Sequence, residues 1–182
     1  MPIQRAKPIA ADIPVINTSS LPASIPVNNL PSGSILQIQK CSYVSGSTQT
    51  SINSTATDGV EANTNLRITI TPQKSDSYIL VYYKVSGQSQ TTWSRGNIRC
   101  YQNSAWRNLQ VTSGGSAITI GTYGLSMGED GGSGWPMMMA YDFPATTSQL
   151  IYSPYIGSTT AGPNYFPHSQ TTSFGIAMEI AG

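Results

Sequence analysis

Charge is scarce in this sequence. Asp, Glu, Lys and Arg make up 9% of its 182 residues, with a net charge of +1, where about 25% is ordinary. With no block of Lys or Arg there is no footprint for phosphate, so no nucleic-acid partner is expected. Histidine is scarcer still, with His168 the single one. Any Ser-His-Asp or Cys-His machinery would have to use it. It lies in the loop-like run Asn164-Tyr165-Phe166-Pro167-His168-Ser169, and no G-x-S-x-G motif is present. Cys41 and Cys100 are too few for a disulfide scaffold. Both fall in strand-like segments, either as buried reduced thiols or as a disulfide between neighbouring strands. One histidine and two separated cysteines give no zinc constellation. Long apolar runs are missing too, which excludes a membrane-spanning helix and a membrane partner. Arg5 and Lys7 are succeeded by Pro8, Asp12 and Pro14, which interrupt any apolar run there, so no targeting segment is expected.

The carboxylates are few enough to inspect one by one. They are Asp12, Asp58, Glu61, Asp76, Glu129, Asp130, Asp142 and Glu179. Glycoside hydrolysis needs an opposed pair, and no spacing nominates one. The glycine-rich run 124–134, centred on Glu129 and Asp130, lacks the alternating oxygen ligands of a calcium loop. The sequence therefore assigns no catalytic, metal-binding or cofactor-binding residue, and the chain is not expected to be an enzyme.

Proline is plentiful, and unevenly placed. Pro2, Pro8, Pro14, Pro22, Pro26 and Pro31 are half of the 12 prolines and all lie in the first 31 residues. Each fixes φ and removes a backbone donor, so neither a helix nor a central strand survives that spacing. Residues 1–33 therefore read as an extended N-terminal arm and residues 34–182 as the folded domain. The arm echoes itself. Ile13-Pro14-Val15-Ile16-Asn17 leads to Leu21-Pro22, and Ile25-Pro26-Val27-Asn28 leads to Leu30-Pro31. Extended at about 3.1 Å per residue, such an arm reaches on the order of 100 Å, far enough to lie along another protein.

After the arm come short apolar/polar alternations. Residues 34–43 read as a strand with Leu36 and Ile38 on one face, and residues 46–58 as loop or weak edge strand. Residues 66–71 alternate as a half-buried strand, and 72–77 form a polar turn. Residues 78–85 are apolar on both faces until Lys84, which marks a central, doubly covered strand. Residues 87–92 read as loop. Further strands are expected near 96–102, 106–111, 117–122, 135–143, 149–156 and 174–180. In the last, Phe174, Ile176, Met178 and Ile180 share one face, and Gly175, Ala177 and Glu179 the other. With no helical period anywhere, this is an all-β chain. Its pattern predicts a jelly-roll or β-sandwich domain of about eight strands. Strand-borne aromatics suit packing; Trp93 and Tyr165, in loops, are the better candidates for contact with a glycan. Met137, Met138 and Met139 occupy both faces of one strand. One face must be core, and a neighbouring subunit of a homotrimer could cover the other.

Four stretches resemble a known group. Leu66-Arg67-Ile68-Thr69-Ile70-Thr71-Pro72, then Ser75-Asp76-Ser77-Tyr78-Ile79-Leu80-Val81, resembles the strand–proline turn–strand signature of small tailed-phage virion proteins of cyanophage-like type. Pro31-Ser32-Gly33-Ser34-Ile35-Leu36-Gln37 looks like that group's opening strand, and Ala177-Met178-Glu179-Ile180-Ala181 like its closing one. The resemblance covers residues 30–182. It implies a jelly-roll subunit, usually trimeric, exposed on a bacteriophage particle, and it carries no catalytic residues across. The expected function is that of a homotrimeric capsid cement, or decoration, protein on the outer surface of the virion. Its partner would be the major capsid protein, bound through arm residues Ile13, Pro14, Val15, Leu21, Ile25, Pro26, Val27 and Leu30. The alternative is a receptor- or host-glycan-binding tip of a tail or head fibre, although the sequence shows no long coiled-coil or β-helical shaft.

Overall fold

The structure is a computed structural model. It describes residues 26–44, 46, 51–52, 59–89, 94–113, 116–119, 133–134, 137–158, 164–167 and 172–182. The chain divides into two units, Met1–Leu30 and Pro31–Gly182. Residues 31–33 therefore belong to the folded unit, not to the arm. Backbone bonds explain the shift: Gly33 N–H donates to Ala181 O at 2.8 Å, and Ala181 N–H donates to Ser34 O at 2.9 Å.

The folded unit is all β. Its strands are β1 (Ile35–Val44), β2 (Ser51–Ile52), β3 (Val60–Glu61), β4 (Ile68–Ile70), β5 (Tyr78–Lys84), β6 (Gly87–Ser89), β7 (Ser94–Gln102) and β8 (Ala105–Asn108). They continue with β9 (Gln110–Ser113), β10 (Ser116–Thr119), β11 (Ser133–Gly134), β12 (Met137–Asp142), β13 (Leu150–Ser158), β14 (Asn164–Tyr165) and β15 (Thr172–Ile180). One antiparallel sheet has the order β1-β15-β5-β12. A second has the order β3-β13-β7-β8, with β4 also pairing with β13. Treat β3 and β4 as one position and count the strands of these two sheets along the chain. The sheets then read first–eighth–third–sixth and second–seventh–fourth–fifth, the strand order of a jelly roll. The hairpin β9–β10 and a small sheet, β11-β6-β14-β2, lie outside this frame.

The core lies between the two main sheets. Ile79, Val81, Tyr83, Met138, Ala140 and Ala177 come from the first, and Ile68, Ile70, Ile98, Cys100, Leu150, Tyr152 and Ile156 from the second. Alternation produces this: on β5 and on β12 every second residue is buried. Tyr83 crosses the core and its hydroxyl donates to Tyr152 O at 2.9 Å.

Four local expectations need correction. Residues 66–71 are not all strand. Thr64–Leu66 form a 3-10 turn, because the Asn63 side chain accepts from Asn65 N–H and starts it, and only Ile68–Ile70 pair. The alternation of residues 34–43 is interrupted. The register slips between Ile35 and Gln37, so a bulge puts Ile35, opposite Ile180, on the side of Ile38, opposite Met178. Residues 87–89 are strand, since β6 pairs with both β11 and β14. Residues 164–165 likewise form β14 rather than loop, held between β6 and β2.

Candidate functional site

Each described carboxylate is held by structural partners. Glu61 takes two bonds from Arg67, both 2.7 Å, and one from Ser153 Oγ at 2.6 Å. Burial alone would raise its pKa, but the guanidinium and the hydroxyl outweigh it and hold the carboxyl below its ordinary value. Asp142 is buried on the inner side of β12. Its Oδ2 accepts from an Arg107 guanidinium nitrogen at 2.6 Å and from Tyr152 OH at 2.7 Å. Glu179 is fully buried near the end of β15. It accepts from Gln37 Nε2 at 2.6 Å and from the backbone N–H groups of Gln73 and Lys74 at 2.8 and 3.2 Å. It thereby ties the turn after Pro72 to the edge strand β1. Asp76 pairs with Lys74 at 3.3 Å on the surface. None of these four aims at a shared open space. An open cleft of about 490 Å³ does border Asp142, together with Arg107, Asn108, Tyr141 and Phe143, but the carboxylate is committed to its two donors. Asp12, Asp58, Glu129, Asp130 and His168 lie outside the described residues. Among the described residues, no three His, Cys, Asp or Glu side chains gather to hold a metal ion.

Both cysteines are free, on strands of different sheets. Burial pushes the Cys41 thiol up to about 11, against a smaller opposing effect of the Gly175 backbone. Burial, aided by the nearby Asp142 charge, pushes Cys100 up to about 12. An acid with a raised pKa in the fold favours folding below its unfolded pKa. That contribution falls as pH rises from about 8.5. The folded protein is therefore expected to resist a thiol-specific chromophoric reagent at pH 8, and to release two thiols per chain when denatured. Rapid reaction of the native form would contradict the burial.

The outer face of the second sheet carries a polar and aromatic array. Tyr101 and Trp106 face each other across β7 and β8 with ring centroids 5.3 Å apart, and Trp106 meets Tyr155 edge-on at 5.5 Å. Arg67 lies over the Trp106 ring at 5.5 Å and Arg99 over Tyr155 at 4.9 Å. Asn97 Nδ2 donates to Asn108 Oδ1 at 2.7 Å, and an Arg99 guanidinium nitrogen donates to Trp106 O at 3.2 Å. Nothing in the sequence pattern marks this array. Its members come from four separate segments, and only the pairing of β13 with β7 and of β7 with β8 brings them together.

The outer face of the first sheet is of the opposite kind. Met137 and Met139 are 64% and 51% exposed there, while Met138 is 4% exposed and points into the core. The methionine run therefore splits between the two faces as its alternation requires. Met138 is a core residue, and it drops out of any contact between subunits. Of the glycan candidates, Tyr165 is partly buried on β14 and Trp93 lies outside the described residues. Of the arm, Ile13, Pro14, Val15, Leu21 and Ile25 also lie outside them. Pro26 is exposed, and Val27 and Leu30 are partly buried. This stretch is not simply extended. Pro26 opens a 3-10 turn, Val27–Asn29, with Asn29 N–H donating to Pro26 O at 2.9 Å and Leu30 N–H to Val27 O at 3.1 Å. The fixed φ of proline suits such a start.

No family model matches this chain, and neither does any curated protein.

Proposed function

We propose that this chain is a structural subunit of a bacteriophage particle: a homotrimeric capsid cement protein, attached to the major capsid protein by its N-terminal arm and lying on the outer surface of the shell. One observation carries the reading. A jelly roll whose described carboxylates are all committed to its own folding is joined to a proline-rich segment outside the folded unit. Among the described residues the acidic side chains serve the fold's own bonds, whereas an enzyme needs reactive groups that converge. The arm's sequence supplies repeated aliphatic residues interleaved with proline.

Attachment through the arm has a measurable consequence. Each aliphatic side chain buried on the shell contributes on the order of 1.5–3 kcal/mol, and three arms acting together multiply the effect. Deleting residues 1–30 is expected to leave a folded jelly roll whose binding to capsids stripped of this protein is weaker by on the order of 100-fold or more. Co-sedimentation of the full and shortened chains with such capsids reads this directly. Undiminished binding by the shortened chain would move attachment to the jelly roll and remove the reason for the cement reading.

A second reading, a glycan-binding fibre tip, is favoured by the Trp106–Tyr101–Tyr155 array with its two guanidinium groups. Aromatic rings flanked by hydrogen-bonding side chains are suited to a sugar's apolar face and hydroxyls. The array ranks second because Arg67 already covers the Trp106 ring.

A further inference from the structure

Among the described residues, seven of the eight exposed large apolar side chains gather on one sheet, Val60 being the eighth. Ile35, Ile38, Val44, Met137, Met139, Tyr141 and Phe143 are all more than one-third exposed, and all lie on or directly after strands of the β1-β15-β5-β12 sheet. Their register makes them a continuous surface. Ile35, Ile180 and Tyr78 lie side by side, and the Phe143 ring stands 5.7 Å from that of Tyr78. The next row is Ile38, Met178, Leu80 and Tyr141. Beyond it lie Lys40, Ile176, Tyr82 and Met139, then Ser42, Phe174, Lys84 and Met137. The first two rows contain no polar residue except for the tyrosine hydroxyls. No carboxylate appears in any row, and the two lysines are confined to the last two.

β15 makes the point most sharply, because its amphipathicity is reversed. Its buried side carries Ser173, Gly175, Ala177 and Glu179, and its outward side carries Phe174, Ile176, Met178 and Ile180. A strand that meets water on its outer side normally spends its large apolar residues on the core. This chain otherwise meets water with Ser, Thr, Asn and Gln, and the outer side of its other main sheet is laced with ion pairs and side-chain hydrogen bonds. The first sheet's outer side has the composition of a second core.

We infer that this face is where copies of this chain meet: the subunits of the proposed trimer pack through the outer side of β1, β15, β5 and β12. The inference rests on the trimer reading and adds the surface and the residues. Three observations select a second copy as the occupant. Seven large side chains, 38–73% exposed, form one contiguous patch, where a monomer ordinarily carries its exposed apolar residues singly and a stable interface needs such a patch on each partner. The chemistry is that of an interface centre, with Met, Tyr and Phe present and acidic groups missing. The lysines gather toward one end, where the rim of an assembly leaves them in water.

The test uses the full chain. Light scattering at micromolar concentration is expected to give three times the chain mass for the wild type. Met139→Glu and, more mildly, Phe143→Ser should reduce that mass to a single chain. Both side chains are over half exposed, so circular dichroism should show unchanged strand content. Val60→Glu changes an exposed apolar residue on the edge strand β3 of the other sheet and should leave the mass unchanged. A wild-type trimer that persists in Met139→Glu and Phe143→Ser would overturn the assignment of this face and leave the trimer standing. A wild-type monomer would overturn the trimer reading, and the face with it. A dimer abolished by the same variants would keep the face and discard the three-fold assembly.

Discussion

Asp142→Ala is expected to lower the stability of the folded protein by about 3 kcal/mol, with 3–5 kcal/mol the ordinary cost of breaking a buried pair by removing one partner. The carboxylate is 4% exposed, and two donors converge on its Oδ2. Removing it leaves the fully buried Tyr152 hydroxyl without this acceptor. It also leaves the Arg107 guanidinium to rely on its bond to Gln102 Oε1, at 2.9 Å. The lower end of the range applies because Arg107 keeps 37% side-chain exposure and water can solvate part of its charge. For a chain of this size the melting temperature should fall by roughly 6–12 °C. Replacing Arg107 by Met in the same variant should recover part of the loss, since no guanidinium is then left buried without its partner. A melting temperature within about 1 °C of the wild type would show that the ion pair does not hold β12 against β8.

Gly175→Val should be comparably damaging, for a steric reason. A Cβ at this position meets Cε1 of Tyr83, with Cδ1 of the same ring at 2.5 Å and Ile68 Cδ1 at 2.9 Å. The ring has nowhere to go. It is fully buried between the sheets, and its hydroxyl is held by Tyr152 O. Overpacking a filled core costs about 1–3 kcal/mol, and displacing the ring adds the loss of a buried hydrogen bond at about 1 kcal/mol. Chemical denaturation should show a lower midpoint with an unchanged slope. Tyr83→Ala removes the clashing ring, so Tyr83→Ala combined with Gly175→Val should lose less stability than the sum of the two single variants. Wild-type stability for Gly175→Val alone would mean that the two sheets can part at this point at no cost.

The frame of the fold was legible because alternation is a local signal. Residues 174–180 show a period of two that nothing interrupts, residues 78–84 are an unbroken apolar run bounded by a turn, and both form long strands. Where a single residue breaks the period, the signal misleads. The bulge at Ile35–Gln37 brings Ile35 to the side of Ile38, and no composition rule marks it. The direction each face points was not legible either. On β15 the apolar face would ordinarily be the inner one, yet Tyr83 and Ile68 fill the space over Gly175, so no side chain fits inward at that position. Apolar residues on both faces of 78–84 predict a strand covered on both sides. It is central in its sheet, but Tyr78, Leu80 and Tyr82 remain partly exposed. The aromatic array on the second sheet could not be seen in the sequence because its members meet only through strand pairing. Pro154 is a similar case: it would argue against a central strand. It is tolerated between the residues of β13 that pair with β4 and those that pair with β3, while its carbonyl accepts from Ala62 N–H at 2.9 Å.

The clasp between Gly33, Ser34 and Ala181 has a mechanical meaning. It fastens the start of β1 beside the end of β15, and from there the two strands stay paired along their whole length, from Ile35 opposite Ile180 to Val44 opposite Thr172. A tether pulling on residue 31 along the axis of β1 strains that entire ladder in shear, with many bonds sharing the load at once. A force drawing residues 31 and 182 apart reaches the same ladder at its clasped end and opens it one bond at a time, as a zipper does. The same joint is therefore strong in one direction and weak in the other. A subunit held by its N-terminal segment loads the strong one when the line of pull runs along β1.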